Sequence, residues 1–558
     1  MKTVLFFCFF LACSMPEEHT YGVLAKNGMV VTAHPEATRV GVEILRQGGT
    51  AVDAAIAVQF ALAVVYPGAG NIGGGGFMVV RTADGKISTL DFREKAPQLA
   101  SRDMYLDSTG TVIEKLSTHG HRAAGVPGTV DGMIESYKRF GTLPFADLIQ
   151  PAIDLAHNGF TLTKLEGEKY SSMQSDLARY NTVLPAYLRD GGWKQGDTVV
   201  LDDLAQTLER IRDNGRDGFY AGTTAALIIE EMKRGNGLIT EEDLQNYHAV
   251  WREPLIGEYK DYRIISMAPP SSGGIALLQL LESVEPHAFS QWGWNTPGTV
   301  HLMAEAERRV YADRATHLGD PDFYHVPVSA LTSREYNERR MADFSPDHAT
   351  PSSAVKAGVP TGSESEETTH FSIVDKWGNA VAVTTTLNGS FGSMVVVGGA
   401  GFLLNNEMDD FSIKPGVPNI YGLIGGEANA IQPGKRMLSS MTPTIVEKNG
   451  RLFMVVGTPG GSTIITSVFQ TMLNVVEHGM SMQEAVNAKR FHHQWMPDIL
   501  YYEEGAFDEK TVEALQKLGH HPKQREPIGR VDAILVRDDG MLEGAADPRG
   551  DDVAGGVE

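Results

Sequence analysis

Cysteine is almost missing from this sequence: among 558 residues there are two, Cys8 and Cys13. Both fall in residues 1–14, where one lysine precedes an apolar run and then small residues, the layout of a secretory signal. A mature chain lacking that segment holds no disulfide, so its stability has to come from its core. Basic charge is scarce too, with 48 Lys and Arg against 70 Asp and Glu and a net charge of −22. A surface of that sign repels nucleic acid and anionic membrane, which removes both from the expected partners. No apolar run is long enough to cross a bilayer: the first stops near Ala12, and the one at 54–65 is interrupted by Gln59 and closed by Pro67. There is no Gly-x-Ser-x-Gly elbow and no His-Glu-x-x-His motif, so serine-hydrolase and zinc-protease readings lack their usual support. His301, His317, His325 and the pair His492-His493 come without metal-ligand spacing, and we expect neither metal nor cofactor.

What is present is a chain well above the size at which a single core stops growing, with helix and strand patterns mixed along it. Residues 38–47 are amphipathic and stop at Gly48-Gly49; Asp53 is expected to cap a helix over 54–65 that is apolar all round and therefore buried. Gly73-Gly74-Gly75-Gly76 precedes a strand at 77–81 instead of opening a helix, so it fails the context of a dinucleotide cradle and reads as close backbone packing. Helices over 203–214 and 223–234, and a capping-box start at Thr240 and Asp243, read as scaffold. Strands are expected at 371–388, 401–405, 444–446 and 452–456, and then a helix over 464–478. The sum is an α/β protein with layered packing.

Two kinds of chain meet at Thr368. Residues 351–367 are rich in Pro, Gly, Ser and Glu and carry too little apolar surface to order themselves. Residues 368–388 read as a hairpin, with Phe371, Ile373, Val381 and Val383 alternating with smaller or polar residues around a turn at 375–379. A threonine at such a junction can be freed as a new N-terminus, its own α-amine then serving as base for its Oγ. A strand that merely begins with two β-branched threonines looks the same from these residues alone.

Farther along, Thr384-Thr385-Thr386-Leu387-Asn388-Gly389, Asn405-Asn406-Glu407-Met408-Asp409-Asp410, Arg436-Met437-Leu438-Ser439-Ser440 and Gly457-Thr458-Pro459-Gly460-Gly461-Ser462 follow in that order. Upstream stand Asn71-Ile72-Gly73-Gly74, Asp91-Phe92-Arg93-Glu94 and Pro269-Pro270-Ser271-Ser272. With Thr368-Thr369-His370-Phe371-Ser372, this series resembles the gamma-glutamyltranspeptidases, also called glutathione hydrolases, over nearly the whole chain. The resemblance implies an N-terminal-nucleophile hydrolase fold, an αββα sandwich formed jointly by two chains after self-cleavage between Glu367 and Thr368. The expected pieces are a signal peptide 1–14, a large subunit 15–367 and a small catalytic subunit 368–558, the last two held as a heterodimer.

The same resemblance implies Thr368 as nucleophile and Thr386 as the hydroxyl that orients it. Gly460 and Gly461 offer successive backbone N–H groups suited to an oxyanion, although Pro459-Gly460 would make a plain turn in any case. Arg93, with Ser439 and Ser440, would take the α-carboxylate of a γ-glutamyl group, and Asn388, Glu407 and Asp410 its ammonium. Glu407 stands where some members carry glutamine. The implied donors are glutathione and related γ-glutamyl amides; amino acids, peptides or water would be acceptors. Residues 412–426 put glycines and prolines at hinge-like places around one large ring, Tyr421, and read as a lid over the acyl pocket.

Two other readings stand beside this one. A related acylase would act on glutaryl or cephalosporin-type amides that lack the α-amine. A non-catalytic exported binding protein would keep the fold, but it has no chemical need for Thr368, Thr386, Arg93 and Asp410 together. The leader points to an exported protein, periplasmic or extracellular. Phe-Leu-Ala-Cys13 loosely resembles a lipobox, which leaves a lipid anchor at Cys13 as the alternative to an ordinary signal peptide.

Overall fold

The computed structural model describes residues 19–356, 368–414 and 416–558. The leader with Cys13, and Glu367 with the segment before it, lie outside the described residues.

Alternation along the hairpin builds the architecture. In the strand Thr369–Asp375, Phe371 and Ile373 face a layer of helices, while Ser372 and Val374 face the other way, and the partner strand Ala380–Thr386 does the same with Val381 and Val383 against Ala380 and Ala382. A sheet buried on both faces needs a layer on each side. Here that sheet has seven antiparallel strands in the order Val553–Val557, Gly28–Thr32, Thr369–Asp375, Ala380–Thr386, Gly75–Arg81, Ile87–Asp91 and Val250–Arg252. Phe371 sits opposite Val383 on one side and Thr32 on the other. A second seven-stranded sheet runs Val23–Ala25, Leu542–Ala545, Asp532–Val536, Arg451–Gly457, Thr444–Lys448, Tyr262–Ser266 and Leu255–Tyr259. Met29, Val79, Val374 and Ala382 of the first sheet meet Ile265, Ile445, Val455 and Ile534 of the second to form the middle of the sandwich.

Helices Pro35–Arg46 and Ala51–Val65 cover the outer face of the first sheet, and Gly273–Val284, Pro297–His317 and Ile464–Val476 cover that of the second. The result is the expected αββα sandwich. All of Ala51–Val65 is buried, as its unbroken apolar composition requires. Its cap is Thr50, not Asp53: Asp53 sits three residues in and closes a capping box by accepting from the Thr50 N–H at 2.8 Å. Asp375, in the hairpin turn, accepts from the Ala51 N–H at 2.9 Å and so fastens that helix to the sheet.

The four glycines pack as close neighbours of backbone. A Cβ on Gly73 would lie 2.1 Å from the Leu403 carbonyl oxygen, and one on Gly74 2.1 Å from that of Thr386. The strand expected at 401–405 does not form; Leu403 makes one isolated bridge to Val396. Each sheet interleaves strands from before and after residue 368, so the two segments share one core.

Candidate active site

Thr368 precedes the first paired residue of its strand, and the register Thr369 to Thr385 sets it opposite Thr386. Their Oγ1 atoms are 3.5 Å apart, both residues being buried. The Thr386 hydroxyl accepts from the Asn388 N–H at 2.7 Å, and Asn388 takes a left-handed φ of 73° that turns the chain across the mouth of the site. On the second sheet the strand Arg451–Gly457 ends at the same edge, and the next turn holds Gly460 at φ 135° and Gly461 at φ 51°. Glycine is required twice over there: besides the positive φ, a Cβ on Gly460 would lie 2.5 Å from Thr463 Oγ1 and one on Gly461 2.4 Å from the Tyr421 ring. A single 3-10 turn, Gly461–Thr463, leads into Ile464–Val476, so the positive end of a helix faces Thr368.

Arg93 is the hub of the charged wall. Its Nη1 is 2.6 Å from Glu407 and 3.4 Å from Glu94, its Nη2 is 2.5 Å from Asp410, and it donates to the carbonyls of Met437 and Leu438. Burial raises all three carboxyls, Glu94 to about 8, against the pull of the guanidinium. Burial alone would lower the Arg93 pKa, but the three carboxylates outweigh it and raise it. One guanidinium thus faces all three acids. Asp410 lines the cavity; Glu407 lies fully buried behind Arg93 and serves to hold it.

Ser439 and Ser440 reach the same cavity from the loop after Arg436. Ser440 Oγ accepts from Arg314 Nη2 at 2.9 Å. Arg314 is also tied to Ser272 Oγ at 2.9 Å. Residues 419–421 of the glycine- and proline-bearing segment lie against these groups. The Tyr421 hydroxyl donates to the Asn388 carbonyl, Ile420 N–H donates to Asp409 at 2.8 Å, and Asn419 Nδ2 donates to Asp410 at 2.9 Å. The space left beside Thr368, Thr386, Arg93 and Asp410 is about 20 Å³, room for roughly one water.

Thr368 at a strand terminus, the Gly460-Gly461 turn and an Arg93–Asp410 wall are thus brought together from the motifs that the sequence singled out. The profile of the family described as gamma-glutamyltranspeptidase matches residues 37–557. The chain belongs to that family. It is 47% identical to the glutathione hydrolase proenzyme of Escherichia coli (strain K12) over 97% of this chain and 93% of that one. Among solved structures it resembles a cephalosporin acylase from Bacillus halodurans with a TM-score of 0.86 at 28% identity, covering 99% of this chain and 100% of that chain. It also resembles the gamma-glutamyltranspeptidase of Helicobacter pylori, TM-score 0.57 at 44% identity, covering 62% of this chain and 97% of that chain. The chain is accordingly an N-terminal-nucleophile hydrolase by fold and an enzyme by family.

Within this gamma-glutamyltranspeptidase site, sequence reasoning missed Arg314, Ser272, Asp409 and Asn419. Arg314 lies in the 21-residue helix Pro297–His317, and its one available signal was a cation on a face that the structure buries. Asp409 accepts from Ser117 Oγ at 2.7 Å as well as from the Ile420 N–H, and burial pushes it up to about 6. His370 points between the sheets, bonded to Thr384 and Ser372, and burial lowers it to about 3, so it stays a neutral structural ring. Of the other histidines, His301, His492 and His493 are buried, His317 is half-buried and His325 exposed. His301, Glu305 and His520 approach one another within 4.8 Å. Glu305, however, is held by Arg308 and Arg309 at 3.1 and 2.8 Å, and the two rings already meet at 2.7 Å. A metal there would have to displace two guanidiniums.

Proposed function

We propose that the chain is a precursor that cuts itself between Glu367 and Thr368, and that the resulting large (15–367) and small (368–558) chains act together as a gamma-glutamyltransferase and glutathione hydrolase. Thr368 Oγ1, deprotonated by the freed α-amine, attacks the γ-carbonyl carbon of the donor. An α-amine with a pKa of about 7.7 to 8 is suited to taking and returning that proton near neutral pH. The amides of Gly460 and Gly461 and the helix end behind them hold the oxyanion as it forms. The C–N bond breaks, the α-ammonium returns its proton to the leaving amine, and a γ-glutamyl ester remains on Thr368. Water or an acceptor amine then repeats the steps in reverse order and frees the hydroxyl.

The observation that carries this reading is that Thr368, Arg93 and Asp410 line one cavity. A donor bearing a carboxylate and an ammonium on one carbon matches it: the carboxylate takes Arg93, Ser439 and Ser440, and the ammonium takes Asp410 and Asn388. The interleaved sheets account for two chains staying together without a covalent link. The leader at 1–14 supports export to the periplasm or the outside, with lipidation at Cys13 as the alternative anchor. The test is turnover of γ-glutamyl-p-nitroanilide. Wild type should release p-nitroaniline and accumulate a hydroxylamine-sensitive γ-glutamyl adduct on the small chain, and Thr368→Ala should do neither. Activity retained in Thr368→Ala removes the assignment.

A further inference from the structure

Residues 351–356 form neither helix nor strand, yet Ser352 and Val355 are buried while their neighbours Pro351, Ser353, Ala354 and Lys356 are exposed. What holds them is a loop from beyond residue 368. Trp495 donates its indole N–H to the carbonyls of Ser352 at 3.0 Å and Val355 at 3.2 Å, and Asp498 accepts from the Ser352 N–H at 2.8 Å. Arg308, on the helix Pro297–His317, donates both to Ser352 Oγ and to the other oxygen of Asp498.

The loop is shaped around this grip. Trp495 is 2% exposed and takes a left-handed φ of 69°, a conformation that a bulky residue keeps only where its surroundings impose it. Its backbone N–H donates to His493 Nδ1 at 3.0 Å, so His493 carries its proton on Nε2 and donates it to Asp498 at 3.2 Å. The His493 N–H in turn donates to Glu307 at 2.8 Å. The same loop is fastened to the active site. Gln494 Nε2 donates to the Tyr421 carbonyl at 3.3 Å, and Gln494 Oε1 lies 2.9 Å from His492 Nε2. His492 Nδ1 is 2.8 Å from Thr466 Oγ1, on the helix Ile464–Val476. Since Tyr421 lines the cavity of Thr368, the grip on 352–355 stands at a fixed place relative to the nucleophile.

We propose that Trp495 and Asp498 are positioning residues for self-cleavage: they fix 352–355 as the post from which the precursor chain runs on to Thr368. The inference rests on the self-cleavage reading above, and neither residue takes part in bond making. Val355 stands thirteen residues before Thr368, and Thr350, whose N–H is held by Glu305 at 3.1 Å, stands eighteen. Releasing the post lengthens the span to be closed from the first distance to the second. Loop-closure entropy alone then lowers the frequency of a productive approach by a factor of about 1.6, and the freed end loses its direction as well.

The experiment follows the full-length precursor in cell-free synthesis, pulse-labelled, chased and resolved on denaturing gels. Trp495→Phe, which keeps a ring and removes the N–H, should lengthen the half-life of the uncut chain about twofold or more. Once cut, the variant should turn over γ-glutamyl-p-nitroanilide with the wild-type kcat/KM per small chain. Asp498→Asn should show the same split, and it carries the comparison if Trp495→Phe fails to fold. A wild-type half-life in both variants overturns the proposal, and so does a loss of kcat/KM by the same factor as the cutting rate, which marks general damage. Failure of the underlying reading looks different: wild type itself would then stay uncut.

Discussion

Replacing Asp410 by asparagine separates a γ-glutamyl enzyme from an acylase, and the structure sets the size of the effect. Asp410 has one oxygen 2.5 Å from Arg93 Nη2 and the other 2.9 Å from Asn419 Nδ2, in a wall where Arg93 faces Glu94 and Glu407 as well. When a donor's carboxylate engages Arg93, Asp410 loses part of its compensation. An α-ammonium restores it; a glutaryl chain has none and leaves the acid unpaired. An unsatisfied buried group costs about 1 to 3 kcal/mol, more when charged, and every 1.4 kcal/mol is about a factor of ten. Wild type should therefore prefer γ-glutamyl to glutaryl anilide by at least about tenfold in kcat/KM. Asp410→Asn keeps one acceptor and removes the charge, so γ-glutamyl kcat/KM should fall about ten- to a hundredfold and the glutaryl value should change little. The assay is p-nitroaniline release from both donors by both proteins. A wild type that prefers glutaryl, or a variant that loses both donors equally, refutes the reasoning and makes the acylase reading the better one.

Removing the lid between Asn419 and Leu423 should raise hydrolysis relative to transfer, because Tyr421 closes the acyl cavity against water; an unchanged partition with and without glycylglycine means the loop is a linker. Asp409 sets a pH dependence of stability. Its folded pKa is raised from 3.8 to about 6, so its share of stability is complete below 3.8 and is lost as pH rises to 6. The loss is about 3 kcal/mol for roughly two units. Wild-type Tm should fall relative to Asp409→Asn between pH 4 and 6 and then run parallel; a constant difference contradicts the shift. Fractionation of cells tests export: enzyme activity should lie outside the cytoplasm, and Cys13→Ala should release it from the membrane fraction only if that thiol is lipidated. Activity confined to the cytoplasm contradicts export.

The parts of the site that were legible are those governed by short-range rules. The period of two through Phe371, Ile373, Val381 and Val383, with the turn at 375–379, was enough to show the hairpin, while Thr386 as the partner of Thr368 came from the family resemblance. Four glycines before a strand marked close backbone approach, and the helix expected over 54–65 was visibly buried from its composition. What was not legible depends on partners distant in sequence. Nothing local to Val553–Val557 says that it pairs with Gly28–Thr32, and nothing in Pro297–His317 marks Arg314 as the residue behind Ser440. Asp53 was misplaced by three residues because a capping box shares the donors of the helix end between two side chains. The stretch at 401–405 has strand composition, but the Leu403 carbonyl is packed against Gly73, and no neighbouring strand pairs with it along its length. Gly460 and Gly461 could be read as a turn or as a nest; their place beside Thr368 is a property of the folded chain alone.

The central claim is that Thr368 becomes an N-terminus, since an α-amine base exists only once the preceding bond is broken. Intact-mass measurement of the purified protein tests it directly. Wild type should give two species under denaturing conditions, one beginning at Thr368 and ending at Glu558 and one ending at Glu367, which travel as a single complex in native conditions. Thr368→Ala should give one uncut chain. A fully active wild type of a single uncut mass contradicts the account, as does cleavage that persists when Thr368 is alanine.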